Sequence, residues 1–405
     1  MHKLKRPFIS WRIDRPAGGV QTLAPLSPLV AQFLLVLVAL AWGLMPETAL
    51  PGPVLRVRET LRCDQMNEAD YERMERGYYE HLLDAGRQLG APAGPAPGRA
   101  LQHTVAIVPF DAGPLTITVD DLREYVLKPN LSVVRGRGVT WSTNSLGMRD
   151  RSYSKAKSPH TFRIALVGDS IGSGWGVNDD EGFEPVLERT LDARSRAAGG
   201  PVVEILNFAV PGYAPGQRWE NFCRSGWELE TDLVLYEATL ADPGWDERRL
   251  RGLLPRGIGW DAPMYREALV RAGARAGGDM EAYKEALRRS RWDILAGVYR
   301  TIATECQARG VPSVWILIPR VGKATDPIAR DRLMALAQRS GFSAVVDLSD
   351  AFDGIPAEDL AIDPSDYHPN ASGHTRLAQK LDDVLTARPE VRQLWAGSAA
   401  GAYPR

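Results

Sequence analysis

From about residue 163 onward, short apolar runs alternate with longer amphipathic runs, and this alternation constrains the fold more than any other feature of the chain. The apolar runs are rich in Val, Ile and Leu, which suit strands that are buried on both faces. Strands separated by helices predict an α/β fold in which helices cover both faces of a parallel sheet. The predicted strands are 163–167, 202–208, 233–236, 312–318 and 344–348, and predicted helices include 183–197, 217–225, 283–309 and 330–339.

Polar or conformationally special residues follow the first three predicted strands. Ser170 comes after the first strand, Gly212 after the second and Asp242 after the third. In open α/β sheets, ligands bind outside the carboxyl ends of the strands. We therefore expect these three residues to meet at one edge of the sheet.

Two distant segments together suggest nucleophilic catalysis. A Gly-Asp-Ser sequence ends at Ser170, and an acid, Asp366, precedes His368 by two residues at the start of a predicted helix. A serine hydroxyl needs a base to take its proton, and the base needs an acid to hold its tautomer. The tetrahedral intermediate also needs hydrogen-bond donors. The backbone N–H groups of Ser170 and Gly212 are candidates, since glycine permits close approach of the backbone.

With these residues the chain resembles the SGNH/GDSL hydrolases, in particular their membrane-anchored members. The resemblance spans roughly 144–384 and rests on 168–170, on Gly212, on the His-Pro-Asn-x-x-Gly-His pattern at 368–374, and on a lead-in at 144–149. It implies a three-layer α/β/α sandwich and hydrolysis or transfer of acyl groups, often acetyl groups on carbohydrate. The leading hypothesis for the reaction is a route through an acyl-enzyme without metal or organic cofactor.

The chain departs from that family after the third strand. The family carries Asn-Asp there, and the asparagine side chain is an oxyanion donor, but Ala241 occupies the corresponding position in this chain. Loss of one such donor typically costs about 2.7–4 kcal/mol, or roughly 100- to 1000-fold in rate. Thr239 is the candidate substitute, and weak or absent hydrolysis is the alternative.

The acid is the second departure. The family's Asp-x-x-His spacing would put the acid at position 365, which is Ser365. We expect Asp366 to orient His368, because an acid two residues before the ring at a helix start can still reach it. Asp363 is the alternative.

A Gly-x-Ser-x-Gly spacing around Ser170 also fits the nucleophile elbow of α/β-hydrolases. That fold would place strands ahead of the elbow and its acid well before the histidine. It therefore ranks second.

The amino-terminal region predicts a membrane anchor. Residues 29–45 are apolar apart from Gln32, and five basic residues but only one acid precede them. This asymmetry predicts a single-pass helix with the amino terminus in the cytoplasm and the remainder outside. A cleaved signal peptide, with Ala39-Leu40-Ala41 as its small-residue site, is the alternative. Both place the catalytic part outside the cytoplasm.

The chain divides into five predicted segments. A cytoplasmic tail (1–28) precedes the anchor (29–45), and a juxtamembrane helix, linker and accessory region follow (46–160). Short strands are predicted within this accessory region at 104–108 and 115–119. The hydrolase-like domain is 161–385, and 386–405 is a tail. An Arg-rich insertion at 246–291 is either a lid over the active-site edge or a solvated helical hairpin.

Composition and motifs exclude several function classes. The formal net charge is −1, so the chain lacks the excess of basic residues that is typical of nucleic-acid-binding proteins. No His-Glu-x-x-His motif is present, and we expect neither a metal nor an organic cofactor. The sequence favours a serine esterase whose substrate is an acylated small molecule or polysaccharide. A polysaccharide O-acyltransferase and a catalytically weakened carbohydrate-binding scaffold are the alternatives.

Overall fold

The computed structural model describes residues 115–135, 138–363 and 366–388. Its strands are β1 Thr116–Thr118, β2 Tyr125–Leu127, β3 Ser132–Val134, β4 Thr140–Ser142, β5 Thr161–Val167, β6 Val202–Asn207, β7 Leu233–Ala238, β8 Ser313–Leu317 and β9 Ala344–Asp347. Its α-helices are α1 Phe183–Ala197, α2 Pro215–Ser225, α3 Asp242–Leu253, α4 Pro263–Arg271, α5 Met280–Arg289, α6 Arg291–Ala308, α7 Pro327–Ser340, α8 Ala357–Leu360 and α9 Ala371–Ala387.

The five later strands form one parallel sheet in the order β6-β5-β7-β8-β9. The predicted α/β fold is therefore confirmed, and each predicted strand lies within two residues of an observed one. The chain runs from β5 outward to β6 and then crosses back to β7 on the other side of β5. This reversal opens a crevice at the carboxyl ends of β5 and β7, which is where ligands bind in open α/β sheets.

Side chains of β5, an interior strand of the sheet, alternate between two cores. Ile164 and Leu166 of β5 belong to an apolar cluster that includes residues of α1 and α9. Ala165 and Val167 belong to a second cluster that includes residues of α2, α3, α4 and α6. All four side chains are at most 1% exposed. Because both faces are covered, the molecule has the three layers of an α/β/α sandwich.

The insertion between β7 and β8 contributes to the core, so the solvated-hairpin interpretation is wrong. Leu253 of α3, Leu269 of α4 and Leu287 of α5 are each at most 3% exposed, and all belong to the cluster on one face of the sheet. The single helix predicted over 283–309 is also wrong. It is two helices, α5 and α6, with Ser290 between them.

Two antiparallel strand pairs, β1 with β2 and β3 with β4, precede the sheet. The predicted strand at 115–119 corresponds to β1, whereas a strand predicted at 104–108 lies outside the described residues. The predicted anchor at 29–45 lies outside them too. Among the helices that the structure describes, none combines the length and the apolar character that spanning a membrane requires.

Candidate active site

Three side chains from opposite ends of the domain meet at the carboxyl edge of the sheet. Ser170 lies in the turn that follows β5, and His368 lies just before α9. The Ser170 Oγ is 2.8 Å from His368 Nε2, and His368 Nδ1 is 2.6 Å from Asp366 Oδ1. With Nδ1–H donating to the carboxylate, Nε2 is left to accept the serine proton. An imidazole placed in this way can accept the hydroxyl proton and so activate a serine as a nucleophile.

The carboxylate that contacts the imidazole is that of Asp366. Its Oδ1 also accepts the backbone N–H of His368 at 2.9 Å, so one oxygen holds both the ring and the chain. Burial alone would raise the pKa of Asp366, but its hydrogen bond to His368 and the charge of that ring lower it below its usual value. Asp363 supplies a backbone carbonyl that accepts the Asp366 N–H at 2.9 Å.

Glu237 lies beneath the turn that presents the serine and explains why its flanking residues are glycines. A Cβ at Gly168 would meet Glu237 Oε2 at 2.0 Å, and one at Gly172 would meet it at 2.3 Å. The same oxygen accepts the Asp169 N–H at 3.1 Å. Burial, followed by the charge of Asp169, raises the pKa of Glu237 well above its usual value, which favours the neutral acid over the carboxylate.

A buried arginine joins the loops that carry the site. Arg218 of α2 is fully buried, and its NH2 group donates to Asp169 Oδ2 at 2.7 Å and to Asp242 Oδ1 at 3.2 Å. Its NH1 group donates to the Glu237 carbonyl at 3.0 Å and to Asp242 Oδ2 at 3.3 Å, while its Nε donates to the Tyr213 carbonyl. All five N–H donors of the guanidinium are therefore satisfied. Burial would lower the pKa of Arg218, but Asp242 and Asp169 raise it well above its usual value.

Two backbone N–H groups remain available near the serine. In the part of the chain that the structure describes, neither the N–H of Ser170 nor that of Gly212 has an acceptor within hydrogen-bond distance. Gly212 has a φ of 81°, a left-handed conformation that favours glycine. A hydrogen bond of 3.3 Å from Val210 N–H to the Gly168 carbonyl ties its loop to the serine turn. The sequence-based candidates for oxyanion donors thus lie on adjoining loops.

Thr239 does not fit the role of a substitute oxyanion donor. Its hydroxyl donates its single proton to Asp242 Oδ1 at 3.1 Å, and its side chain is buried. Ala241 lies immediately before α3 and has no polar side-chain atom. Asp242, which the strand order led us to expect at this edge, binds Arg218 instead of facing the serine hydroxyl.

Residues ahead of the sheet brace both loops of the site. Arg149, in the lead-in at 144–149, donates to the carbonyls of Ser173 at 2.7 Å and Val177 at 2.6 Å, just after the serine turn. Burial lowers the pKa of Arg149 to about 10, so it stays charged at neutral pH. On the other loop, the Tyr125 hydroxyl donates to the Pro211 carbonyl at 2.7 Å. An N–H of Arg249, which belongs to α3, donates to the Gly212 carbonyl at 3.0 Å.

Sequence reasoning missed three buried charged or polar side chains: Arg218, Glu237 and Arg149. Of these, only Arg149 lay inside a recognised motif, and its contacts were not predicted. A signal was present for Glu237, because a glutamate inside an otherwise apolar run, 233–238, must be buried with a partner or neutral.

The sequence matches no protein-family model and no curated protein. Several solved hydrolases are similar to part of it. TesA is 17% identical, covers 56% of this chain and 98% of its own, and has a TM-score of 0.36. A variant of Axe2, an acetylxylan esterase from Geobacillus stearothermophilus, is 15% identical. The match covers 56% of this chain and 94% of Axe2, with a TM-score of 0.36. The esterase EstA from Pseudoalteromonas is 15% identical. The match covers 58% of this chain and 98% of EstA, with a TM-score of 0.34. The fold assignment rests on the strand order and layers of this chain itself.

Replacement of Asp366 by Asn should slow covalent labelling of Ser170 by a fluorophosphonate. The amide would no longer hold the Nδ1–H tautomer, and an equivalent change in a serine protease lowers turnover about 10⁴-fold. The matched control is Asp363→Asn, which keeps its backbone carbonyl and should label at close to the wild-type rate. Equal slowing of the two variants would contradict the assignment of Asp366 as the orienting acid.

Replacement of Arg218 by Met should destabilise the fold strongly. Two buried carboxylates, Asp169 and Asp242, would then lack their common cation, and breaking a buried pair typically costs about 3–5 kcal/mol. The control is Arg196→Met, which breaks an exposed i,i+4 pair with Asp192 and should cost below about 1 kcal/mol. The measurement is the free energy of unfolding in urea. A loss for Arg218→Met as small as that of the control would refute the role given to Arg218.

Proposed function

We propose that this protein is a serine esterase that hydrolyses acyl esters, in particular acetyl esters of carbohydrate, through an acyl-enzyme. The observation that carries the proposal is the contact of 2.8 Å between Ser170 Oγ and His368 Nε2, with Asp366 on the opposite ring nitrogen. Ser170 is the nucleophile, His368 the general base and acid, and Asp366 the orienting acid.

In the acylation half, His368 Nε2 takes the hydroxyl proton as Ser170 Oγ attacks the ester carbonyl carbon. The backbone N–H groups of Ser170 and Gly212 donate hydrogen bonds to the carbonyl oxygen and stabilise the negative charge that develops on it. The imidazolium, stabilised by Asp366, then gives its proton to the leaving alkoxide, and the alcohol departs. The acyl group remains on Ser170 as an ester.

In the second half, His368 removes a proton from water as the water oxygen attacks the acyl carbon. The intermediate collapses, the carboxylic acid leaves, and the proton returns to Ser170 Oγ. If a sugar hydroxyl replaces the water, the same steps transfer the acyl group, which is the O-acyltransferase alternative. Product analysis with an oligosaccharide acceptor distinguishes the two, because a hydrolase releases free acid.

One observation favours a second candidate, a binding scaffold with weakened turnover. The Thr239 hydroxyl is committed to Asp242, and Ala241 has no donor, so the oxyanion would have two backbone donors and no side-chain donor. Loss of one donor typically lowers turnover roughly 100- to 1000-fold. We place this candidate second because the serine, histidine and aspartate retain hydrogen-bond contacts suited to reaction.

We also propose that the site lies outside the cytoplasm, carried by a single-pass anchor at 29–45. Support comes from the sequence alone, through the apolar run and the basic residues before it. A phosphatase reporter that folds only outside the cytoplasm should be active when fused to the carboxyl terminus of the full chain. It should be inactive when residues 1–45 are deleted. An inactive fusion to a stably expressed full chain would contradict the proposal.

The esterase proposal predicts that wild-type protein turns over p-nitrophenyl acetate and is labelled by a fluorophosphonate. Ser170→Ala should abolish labelling and His368→Ala should weaken it strongly, with turnover falling in parallel, because both steps need the same activated hydroxyl. Intact unfolding transitions would serve as the control for folding. Turnover that persists in Ser170→Ala would contradict the esterase proposal. Absence of labelling in the wild type would favour the binding scaffold with weakened turnover.

An asparagine at position 241 should increase turnover, because it would restore a side-chain oxyanion donor. We expect Ala241→Asn to raise kcat by about 100-fold, within the range that one such donor supplies. The matched control is Ala241→Leu, which has nearly the same shape but no donor. If neither variant raises kcat, the two backbone donors already make a sufficient oxyanion site.

A further inference from the structure

The imidazole of His368 has two aromatic neighbours, and an arginine lies over each of those two rings. Tyr367 stacks on His368 with ring centroids 4.4 Å apart, and Trp175 lies 6.5 Å away. The guanidinium carbon of Arg320 is 4.3 Å from the Tyr367 ring centroid, and that of Arg135 is 3.9 Å from the Trp175 ring centroid. Two cations therefore lie over the two rings that neighbour His368.

Arg320 belongs to the same edge of the sheet as the triad. It follows β8 by three residues, and the next residue, Val321, donates its N–H to the Tyr367 carbonyl at 3.0 Å. This hydrogen bond ties the Arg320 loop to the loop that carries the histidine. The charge of Arg320 also reaches the serine turn: burial would raise the pKa of Asp169, but Arg218 and, more weakly, Arg320 lower it.

The guanidinium of Arg320 has N–H groups that make no ion pair within the described residues. It is half-buried, and within residues 115–135, 138–363 and 366–388 no carboxylate lies within ion-pair distance of it. Asp366, which precedes Tyr367 in the chain, directs its Oδ1 to the ring and the backbone N–H of His368. A guanidinium held over an aromatic ring by cation–π attraction keeps N–H donors for other partners. The planar fork of those donors matches a carboxylate in a bidentate geometry.

We propose that Arg320 binds a carboxylate on the substrate, so that the acyl ester attacked by Ser170 belongs to an acidic sugar such as a uronic acid. Arg135, over the Trp175 ring, adds a second positive charge in the same neighbourhood. The inference rests on the proposed esterase function and narrows its substrate class. The stack on Tyr367 orders the guanidinium before binding, which reduces the entropy lost on association.

The test compares two substrates that differ only in charge. One is an acetylated oligogalacturonate, and the other is the same oligomer with its carboxylates converted to amides. Wild-type full-length protein should hydrolyse the anionic oligomer with the higher kcat/KM, and added salt should reduce the preference. Arg320→Gln should lower kcat/KM for the anionic oligomer by about 10- to 100-fold, chiefly through KM, and leave the amide oligomer within about twofold.

Two further variants separate binding from structure. Arg320→Lys keeps the charge without the fork and should recover part of the preference. Arg332→Gln is the matched control, because Arg332 also stacks on an aromatic ring, that of Trp292 at 3.8 Å, but belongs to α7. It should leave both substrates unaffected. Binding of the anionic oligomer to Ser170→Ala, measured by calorimetry with and without Arg320→Gln, supplies a readout without turnover.

The outcomes distinguish the inference from the function on which it rests. Equal loss on both oligomers in Arg320→Gln would mean that Arg320 acts through the Tyr367–His368 stack, and it would overturn the substrate assignment. Equal hydrolysis of both oligomers by wild type would overturn it as well. Both results would leave the esterase intact. Wild type that hydrolyses neither oligomer nor p-nitrophenyl acetate, and resists fluorophosphonate labelling, would instead refute the esterase function.

Discussion

The guanidinium of Arg218 is the interaction on which the geometry of the site depends. It reaches Asp169 after β5, the Tyr213 carbonyl after β6, and both the Glu237 carbonyl and Asp242 at the end of β7. A buried cation is costly unless every N–H finds an acceptor and its charge is balanced. The loops that follow three neighbouring strands must therefore keep their relative positions for the cation to remain buried.

The contacts around Arg218 and Glu237 explain why each position of the Gly-Asp-Ser sequence holds its residue type. Gly168 is required because Glu237 lies where a Cβ would be, and Asp169 is required because Arg218 needs an anionic partner. Only Ser170 directs its hydroxyl toward His368. Two of the three positions thus serve to hold the turn, and the third supplies the proposed nucleophile.

The residues ahead of the sheet belong to the site as much as to the fold. Arg149 holds the segment after the serine, and Tyr125 holds the loop of Gly212, which carries one of the two available oxyanion donors. The same strand pairs bring Trp141 against Trp175, whose ring lies beside His368. The region from 115 to 160 therefore supports both halves of the proposed reaction centre, a role that its sequence did not reveal.

The sequence by itself determined the layered parallel sheet, because strand and helix periods are local properties that each run of residues carries. Through the Gly-Asp-Ser sequence and the acid and histidine at 366 and 368, it also predicted the pairing of Ser170 with His368 and Asp366 across almost 200 positions. It could not determine that Thr239 would donate to Asp242, that the insertion would fill the core, or that Arg218, Glu237 and Arg320 would gather at the site. Those outcomes depend on side-chain contacts between distant segments. Such contacts follow from how the layers pack, and no local pattern records them.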